Sequence, residues 1–265
     1  MRYFRIMLLH FQHIFEHRSR SFVWFLVSLF SPLLFILFWS GAFQGRSEIA
    51  PSWTFSRMTS YYFLLTIVGA TLMAHIEDDV SRYDIREGGL VKYLMKPFSY
   101  YWMKFFEEIH YRLLQGFYAI IIFSIFTLFL GEFVVITDNF VIFMLSLVVA
   151  VMAYFLSFTF KMIIGLVAFW TTDIMGIYHL TDIILLIFAG YIVPIELLSS
   201  PIATIAHALP FAYMIYYPVI AFQGRFGISD LFSVIFMQMI WLSVIFLIYR
   251  LMWKRGIRRF TGIGQ

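Results

Sequence analysis

The chain contains no cysteine, so a disulfide framework, a thiol nucleophile and a cysteine-bound metal are all excluded. Charge is scarce as well. Asp, Glu, Lys and Arg make up 13% of 265 residues, where a soluble domain carries roughly 25%. A chain this poor in charge cannot cover a soluble surface with polar groups. The usual chemical motifs are missing too. There is no G-x-x-x-x-G-K-[ST] loop to cradle ATP phosphates, no H-E-x-x-H and no G-x-S-x-G. Neither an internal repeat of roughly 20–50 residues nor the inverted symmetry of many secondary transporters is visible. No nucleophile–base or metal constellation falls in the apolar runs, so an intramembrane enzyme is the least favoured class.

What the chain has in excess is apolar mass: 62% hydrophobic and 21% aromatic residues. Lipid is the solvent that such a composition fits. The reading is a single all-α, polytopic membrane domain over residues 1–265. The isoelectric point near 9.2 then reflects lysine and arginine held in cytoplasmic loops, with no nucleic-acid partner implied.

A spanning helix needs about 20 mostly apolar residues. Six runs qualify: Phe22–Phe43, Thr59–Ile76, Leu113–Gly131, Phe140–Phe169, Gly176–Ile195 and Leu231–Leu251. The fourth is too long for one upright crossing and must tilt or emerge. Threading these six places 16 of the 19 lysines and arginines on one side, leaving Arg46, Arg57 and Arg225 opposite. The positive-inside bias makes that side cytoplasmic, with both termini there and residues 77–112 between the second and third spans. The first run is too long for a removable signal peptide, although Ser40–Ala42 faintly imitates a cleavage site.

The leader, residues 1–21, is patterned. Tyr3, Phe4, Met7, Leu8, Phe11, Ile14 and Phe15 share one helical face, with Arg2, Arg5, Gln12, His13, Glu16 and His17 opposite. That predicts an amphipathic helix lying in the membrane interface, as against a disordered basic tail. His10, His13 and His17 have a spacing that a metal could use, but they read more simply as a polar face turned to headgroups. Glu77–Asp79 could bind a divalent cation, and reads more simply as a solvated helix end.

Two further stretches stand out. "REGGLVKYLMKPFSYYWMKFFEE", from Arg86 to Glu108, concentrates charge behind a double glycine and around a proline. "AGYIVPIELLSSPIATIAHALPFAYMIYYPVIAFQGR", from Ala189 to Arg225, is apolar yet holds Pro194, Pro201, Pro210 and Pro218. Proline breaks helices, so residues 190–225, beginning at Gly190, predict short outer helices that dip in and return, or else one kinked span with a greasy loop.

Together these stretches resemble the membrane subunit of a bacterial ABC-2-type transporter, in the branch of ABC-2 family transporter proteins and multidrug or viologen-type exporter permeases. The match rests on the amphipathic leader before six spans, on "REGGLVKYLMKPFSYYW", on the proline-rich outer stretch, and on the tail "RGIRRFTGIGQ". The resemblance implies a permease of the cell membrane that dimerises, as homo- or heterodimer, and binds cytoplasmic ATPase subunits. ATP and Mg would be held by those partners and no cofactor by this chain. It also implies that residues 77–112 carry a coupling helix. Gly88 and Gly89 would allow a tight approach behind Arg86 and Glu87. Leu90, Tyr93 and Leu94 would form the docking face, Lys92 and Lys96 would flank it, and Pro97 would end it. The alternative is a loop kept basic only to fix topology. At the level of the whole protein, the alternative is a stand-alone secondary transporter or channel; an ATPase that co-purifies separates the two.

Lys161 and Asp182 fall inside the fourth and fifth predicted spans. A lone charge at the bilayer centre costs roughly 2.5–3.5 kcal/mol on insertion scales, so it faces protein or finds a partner. Counted at about 1.5 Å per residue, both lie at similar depth on antiparallel helices, which permits an ion pair; separate snorkelling is the alternative. The orientation is checked by introduced cysteines. One at Ser47 or Ser200 should react with an impermeant thiol reagent added outside, and one at Ser99 should not. The opposite labelling pattern overturns the orientation.

Overall fold

The computed structural model describes Val23, residues 30–45 and residues 47–261. The expected interfacial helix over residues 1–21, and with it His10, His13 and His17, lies outside the described residues. Helix α1 (Phe30–Ala42) leads into a short antiparallel hairpin, β1 (Glu48–Ala50) against β2 (Trp53–Thr54), with Ala50 opposite Trp53. This hairpin departs from the all-α expectation. Pro51 and Ser52, the latter at φ 70°, make a tight turn, and Trp53 is drawn inward, so the strands close. The Thr54 hydroxyl then accepts from the Arg57 backbone N–H at 3.3 Å and caps α2 (Phe55–Leu72).

The rest is helical: a π-helix over Asp79–Arg86, α3 (Val91–Leu94), α4 (Tyr100–Leu130), α5 (Phe140–Leu166), α6 (Met175–Phe188), α7 (Ser200–Ala208), α8 (Pro210–Met214), α9 (Tyr216–Phe222) and α10 (Ile228–Gly256). The starts of two of the long helices, α5 and α10, are written in sequence. Asn139 Oδ1 accepts from the N–H groups of Val141 and Ile142 at 2.9 and 3.2 Å. Asp230 accepts from Gly227 N–H at 3.0 Å, while Lys254 and Arg255 sit in the last turn of α10, where they complement the helix dipole.

Helix α5 is the axis, packing along α10 and also against α2, α8, α9 and the π-helix. Inside this bundle Gln238 of α10 is fully buried, and its amide donates to the carbonyls of Val149 and Tyr213, both at 3.0 Å. Such a side chain ties three helices together where packing alone gives little orientation in lipid. Outward faces are apolar: Leu33, Leu37 and Phe38 of α1, Ile120 and Leu128 of α4, and Phe236 and Leu247 of α10 are all exposed. In water so large an apolar surface would aggregate; in lipid it is the expected coat.

Three helices among the described residues are long and apolar enough to cross a membrane: Tyr100–Leu128, Phe140–Phe169 and Ile228–Gly256. Several expected boundaries change. The second run was expected over Thr59–Ile76, but α2 covers Phe55–Leu72. The third span was expected from Leu113, but α4 begins at Tyr100 because the charges of its first turns pair with each other and with neighbours. The fifth was expected to reach Ile195, but α6 ends at Phe188, where Gly190 adopts φ +82°. At about 1.5 Å per residue its 14 residues extend roughly 21 Å, less than the about 30 Å of a hydrocarbon core.

The prolines of the stretch 190–225 punctuate it as their chemistry requires. Pro201 and Pro210 occupy the first turns of α7 and α8, Pro218 the first turn of α9, and Pro194 precedes a short 3-10 turn at Ile195–Leu197. Helices α8 and α9 are almost wholly buried; Met214, Ile215, Val219, Ile220 and Ala221 have no exposed surface. Gly190 is where this segment meets α2. Its carbonyl accepts from the Tyr61 hydroxyl at 2.7 Å, and a side chain there would strike the same hydroxyl.

At the basic end of the bundle, the π-helix lies directly on α5 because Gly165 has no side chain. A Cβ at that position would stand 2.7 Å from Val80 and 3.1 Å from the Glu77 carbonyl. Gly165→Val should therefore destabilise the protein by about 1–3 kcal/mol, as overpacking does. Gly176→Ala, where the added carbon meets nothing within 4 Å, should be neutral or slightly stabilising. Thermal aggregation midpoints in mild detergent measure both.

Candidate functional site

The chain between α2 and α4 forms a compact elbow. Helix α2 stops at Leu72, residues 73–76 run without helix, and the π-helix 79–86 follows. The chain then folds back on that helix: Glu87, Gly89 and Leu90 donate backbone bonds to the carbonyls of Arg82, Tyr83 and Asp84 at 2.9, 3.1 and 2.8 Å. Both glycines are needed for this. Gly88 has φ +79°, and a Cβ on Gly89 would sit 2.6 Å from the Tyr83 carbonyl oxygen. One turn of helix, α3, comes next, and Pro97 separates it from α4.

Buried charge braces the elbow. Lys104 of α4 is enclosed and reaches Asp84 Oδ2 at 2.7 Å and Glu107 Oε2 at 3.0 Å. Tyr100 donates to Asp84 Oδ2 at 2.7 Å, and Tyr93 donates to the Glu107 carboxylate at 2.8 Å. The Tyr93 ring lies against the ammonium groups of Lys92 and Lys104, at 4.8 and 4.7 Å. Burial raises the Tyr93 phenol well above its ordinary range, which keeps it a donor. These groups border an open cavity of about 390 Å³ with Asp79 on its wall. Asp79 keeps exposed surface, yet the protein crowding its carboxyl lifts it to about 6, against the pull of Lys104.

A second network lies beneath. Lys161 of α5 meets Glu77 Oε1 at 2.6 Å and Asp182 Oδ1 at 3.7 Å. The structure thus brings the expected residues Lys161 and Asp182 together, but the closer carboxylate is one that sequence reasoning placed on a solvated helix end. Glu77 is instead buried, because the non-helical residues 73–76 carry the chain back across α5. Burial raises the Glu77 carboxyl, opposed by Lys161. Tyr178 of α6 donates to the Glu77 carbonyl at 2.8 Å and also meets the Ser81 hydroxyl. A third network joins the same region to α4: the Arg112 guanidinium reaches Glu108 Oε1 at 2.7 Å, the Ala70 carbonyl at 3.1 Å and His75 Nδ1 at 2.9 Å. Among the described residues no three His, Cys, Asp or Glu side chains are grouped as a metal site requires.

The expected docking face needs correction. Leu90 and Tyr93 point inward and are buried, because one turn of helix has no room for a face of its own once it packs on the π-helix. Outward at the elbow's tip stand Val91, Leu94 and Met95, the last 76% exposed, with Lys92 and Lys96 beside them. Glu87 is exposed on the bend, and Arg86 turns away from α3 toward the Thr171 carbonyl. The residue that sequence reasoning missed altogether is Gly165; a small residue opposite a charged loop was its only signal.

An apolar-coated helical bundle with a charge-braced elbow at its basic end defines a multi-pass membrane protein. The chain belongs to the ABC-2 family of transporters: the family described as "ABC-2 family transporter protein" matches residues 29–264. No curated protein and no solved structure gives a significant match.

The two contacts of Lys161 differ in burial, and so should their contributions. Glu77→Gln removes the nearer and more buried charge from an enclosed ammonium and should cost about 3 kcal/mol. Asp182→Asn removes a carboxylate that is 64% exposed and should cost about 1 kcal/mol or less. Folded yield and thermal midpoint in detergent rank the two; equal losses would show that Asp182 is as strong a partner as Glu77.

Proposed function

We propose that this chain is the permease subunit of an ATP-binding-cassette exporter. It pairs with a second permease subunit in the cell membrane, both termini cytoplasmic, and takes its energy from a separate cytoplasmic ATPase that holds ATP and Mg. Membership of the ABC-2 family and the strong basic bias of one side support this reading. The observation that carries it is the elbow. Residues 79–97 are folded tightly enough to behave as one body, and the body is fastened to α4 through Asp84, Lys104 and Glu107. A push on Val91, Leu94 and Met95 then reaches a spanning helix rather than being absorbed in a slack loop. Lys92 and Lys96 would steer an acidic rim of the ATPase onto that tip. At the other end, the proline-punctuated helices α7–α9 form the outer re-entrant region, ordered around Glu196, which accepts from Trp53 at 2.7 Å and from Arg225 at 2.8 Å.

The test is Leu94→Asp, a change on the exposed tip that leaves the buried brace intact. The variant should insert and fold normally, lose its co-purifying ATPase and fail to transport. Leu94→Met should keep both. Normal transport and normal ATPase capture by a folded Leu94→Asp protein would overturn the coupling role, and transport with no ATPase at all would favour a stand-alone transporter.

A further inference from the structure

The basic end of the bundle holds a second cavity, of about 370 Å³, on the side away from the elbow's tip. Arg86, Arg259, Thr171, Thr172, Phe169 and Phe260 line it. Arg86 closes the π-helix, and its Nη2 makes only a long contact, 3.5 Å, with the Thr171 carbonyl. Its Nε is buried with no hydrogen-bond partner. Arg259 follows the end of α10, with its guanidinium 5.9 Å from the Trp170 ring. Among the described residues no carboxylate lies within ion-pair distance of either arginine. The nearby acids are engaged or turned away: Asp78 pairs with Arg82 at 2.9 Å, Asp173 accepts from the Met175 N–H at 3.2 Å, and Glu87 is exposed on the bend.

Two guanidinium groups facing one cavity repel, and a buried N–H without a partner is destabilising. An anion with several oxygens removes both penalties, and the arginine fork fits a phosphate in a bidentate manner. The position of the cavity selects among phosphates. It lies where α5 passes into the 3-10 turn at Val167–Phe169 and where α10 ends, the limits of two helices long enough to span a membrane. Trp170 and Trp253 both lie against the Phe169 ring, at 6.0 and 6.4 Å, and tryptophan is enriched at membrane–water interfaces. We propose that this cavity binds the phosphate of an anionic phospholipid headgroup, held by Arg86 and Arg259 with Thr172 beside it. Bound there, a lipid joins the π-helix, the end of α5 and the end of α10.

The test uses the full chain, stripped of lipid by detergent exchange and observed by native mass spectrometry with added phosphatidylglycerol, phosphatidylcholine or inorganic phosphate. Phosphatidylglycerol should be retained in preference to phosphatidylcholine. Arg86→Gln with Arg259→Gln should weaken that retention by at least about tenfold, the loss of one charge-assisted bond. Arg82→Gln, on an exposed side chain paired with Asp78, should not change it. Should the double variant fail to fold, Arg259→Gln alone, an exposed position, provides the same comparison. Excess inorganic phosphate that displaces the lipid, or binds in its place with the same arginine dependence, would assign the cavity to a soluble phosphate and overturn the lipid proposal. Retention of phosphatidylglycerol unchanged by either variant would overturn the site altogether.

Discussion

Lys104 and Lys161 are both enclosed by protein, and each is matched there by a carboxylate from a different part of the chain: Asp84 for the first, Glu77 for the second. A buried ammonium without a counter-charge is among the most costly groups a fold can contain. The elbow between α2 and α4 therefore has little freedom to lie elsewhere. Moving it away would take Asp84 from Lys104 and Glu77 from Lys161, leaving the first with Glu107 on its own helix and the second with the exposed Asp182. The unusual backbone follows from this requirement. A π-helix, two adjacent glycines in tight turns and a glycine on α5 are what it takes to bring Glu77 and Asp84 to two ammonium groups on separate helices.

The opposite end is organised by a different rule. There the problem is irregular backbone among apolar side chains, and hydroxyl groups solve it. Tyr61 and Tyr62 of α2 donate to the carbonyls of Gly190 and Ile192, where the chain leaves α6. Trp39 of α1 donates in turn to the Tyr62 hydroxyl at 3.0 Å. Pro201, Pro210 and Pro218 stand in the first turns of short helices, where a missing N–H costs little, so the breaks need few additional partners. One end of the bundle is thus locked by ion pairs and the other by aromatic donors, with α5 and Gln238 between them.

Much of this was legible in the sequence. Long apolar runs give the helices, and the prolines give the breaks, because both signals are local. The start of α4 was not legible. Lys104, Glu107, Glu108 and Arg112 read as a polar loop when taken singly, and only their mutual pairing lets the helix begin at Tyr100. The stronger partner of Lys161 was missed for a related reason. Counting residues along helices finds Asp182, but Glu77 arrives through four non-helical residues that no helical count can follow. The docking face at Leu90 and Tyr93 came from the family resemblance, which carries no information about how a single turn packs; here that turn lies on the π-helix and buries both.

The length of α4 has a mechanical corollary. Its 31 residues extend roughly 46 Å, about 15 Å more than a hydrocarbon core is thick. The first turns of the helix, which hold the charged residues from Lys104 to Arg112, are packed on both neighbours: Tyr101 bonds Thr159 of α5 at 2.7 Å, Phe105 stacks on Phe155 of α5, and Tyr100 stacks on Trp253 of α10. A helix held in this way over its first three turns cannot bend at its start without carrying α5 and α10 with it. A load applied at the elbow is therefore shared among three long helices at once.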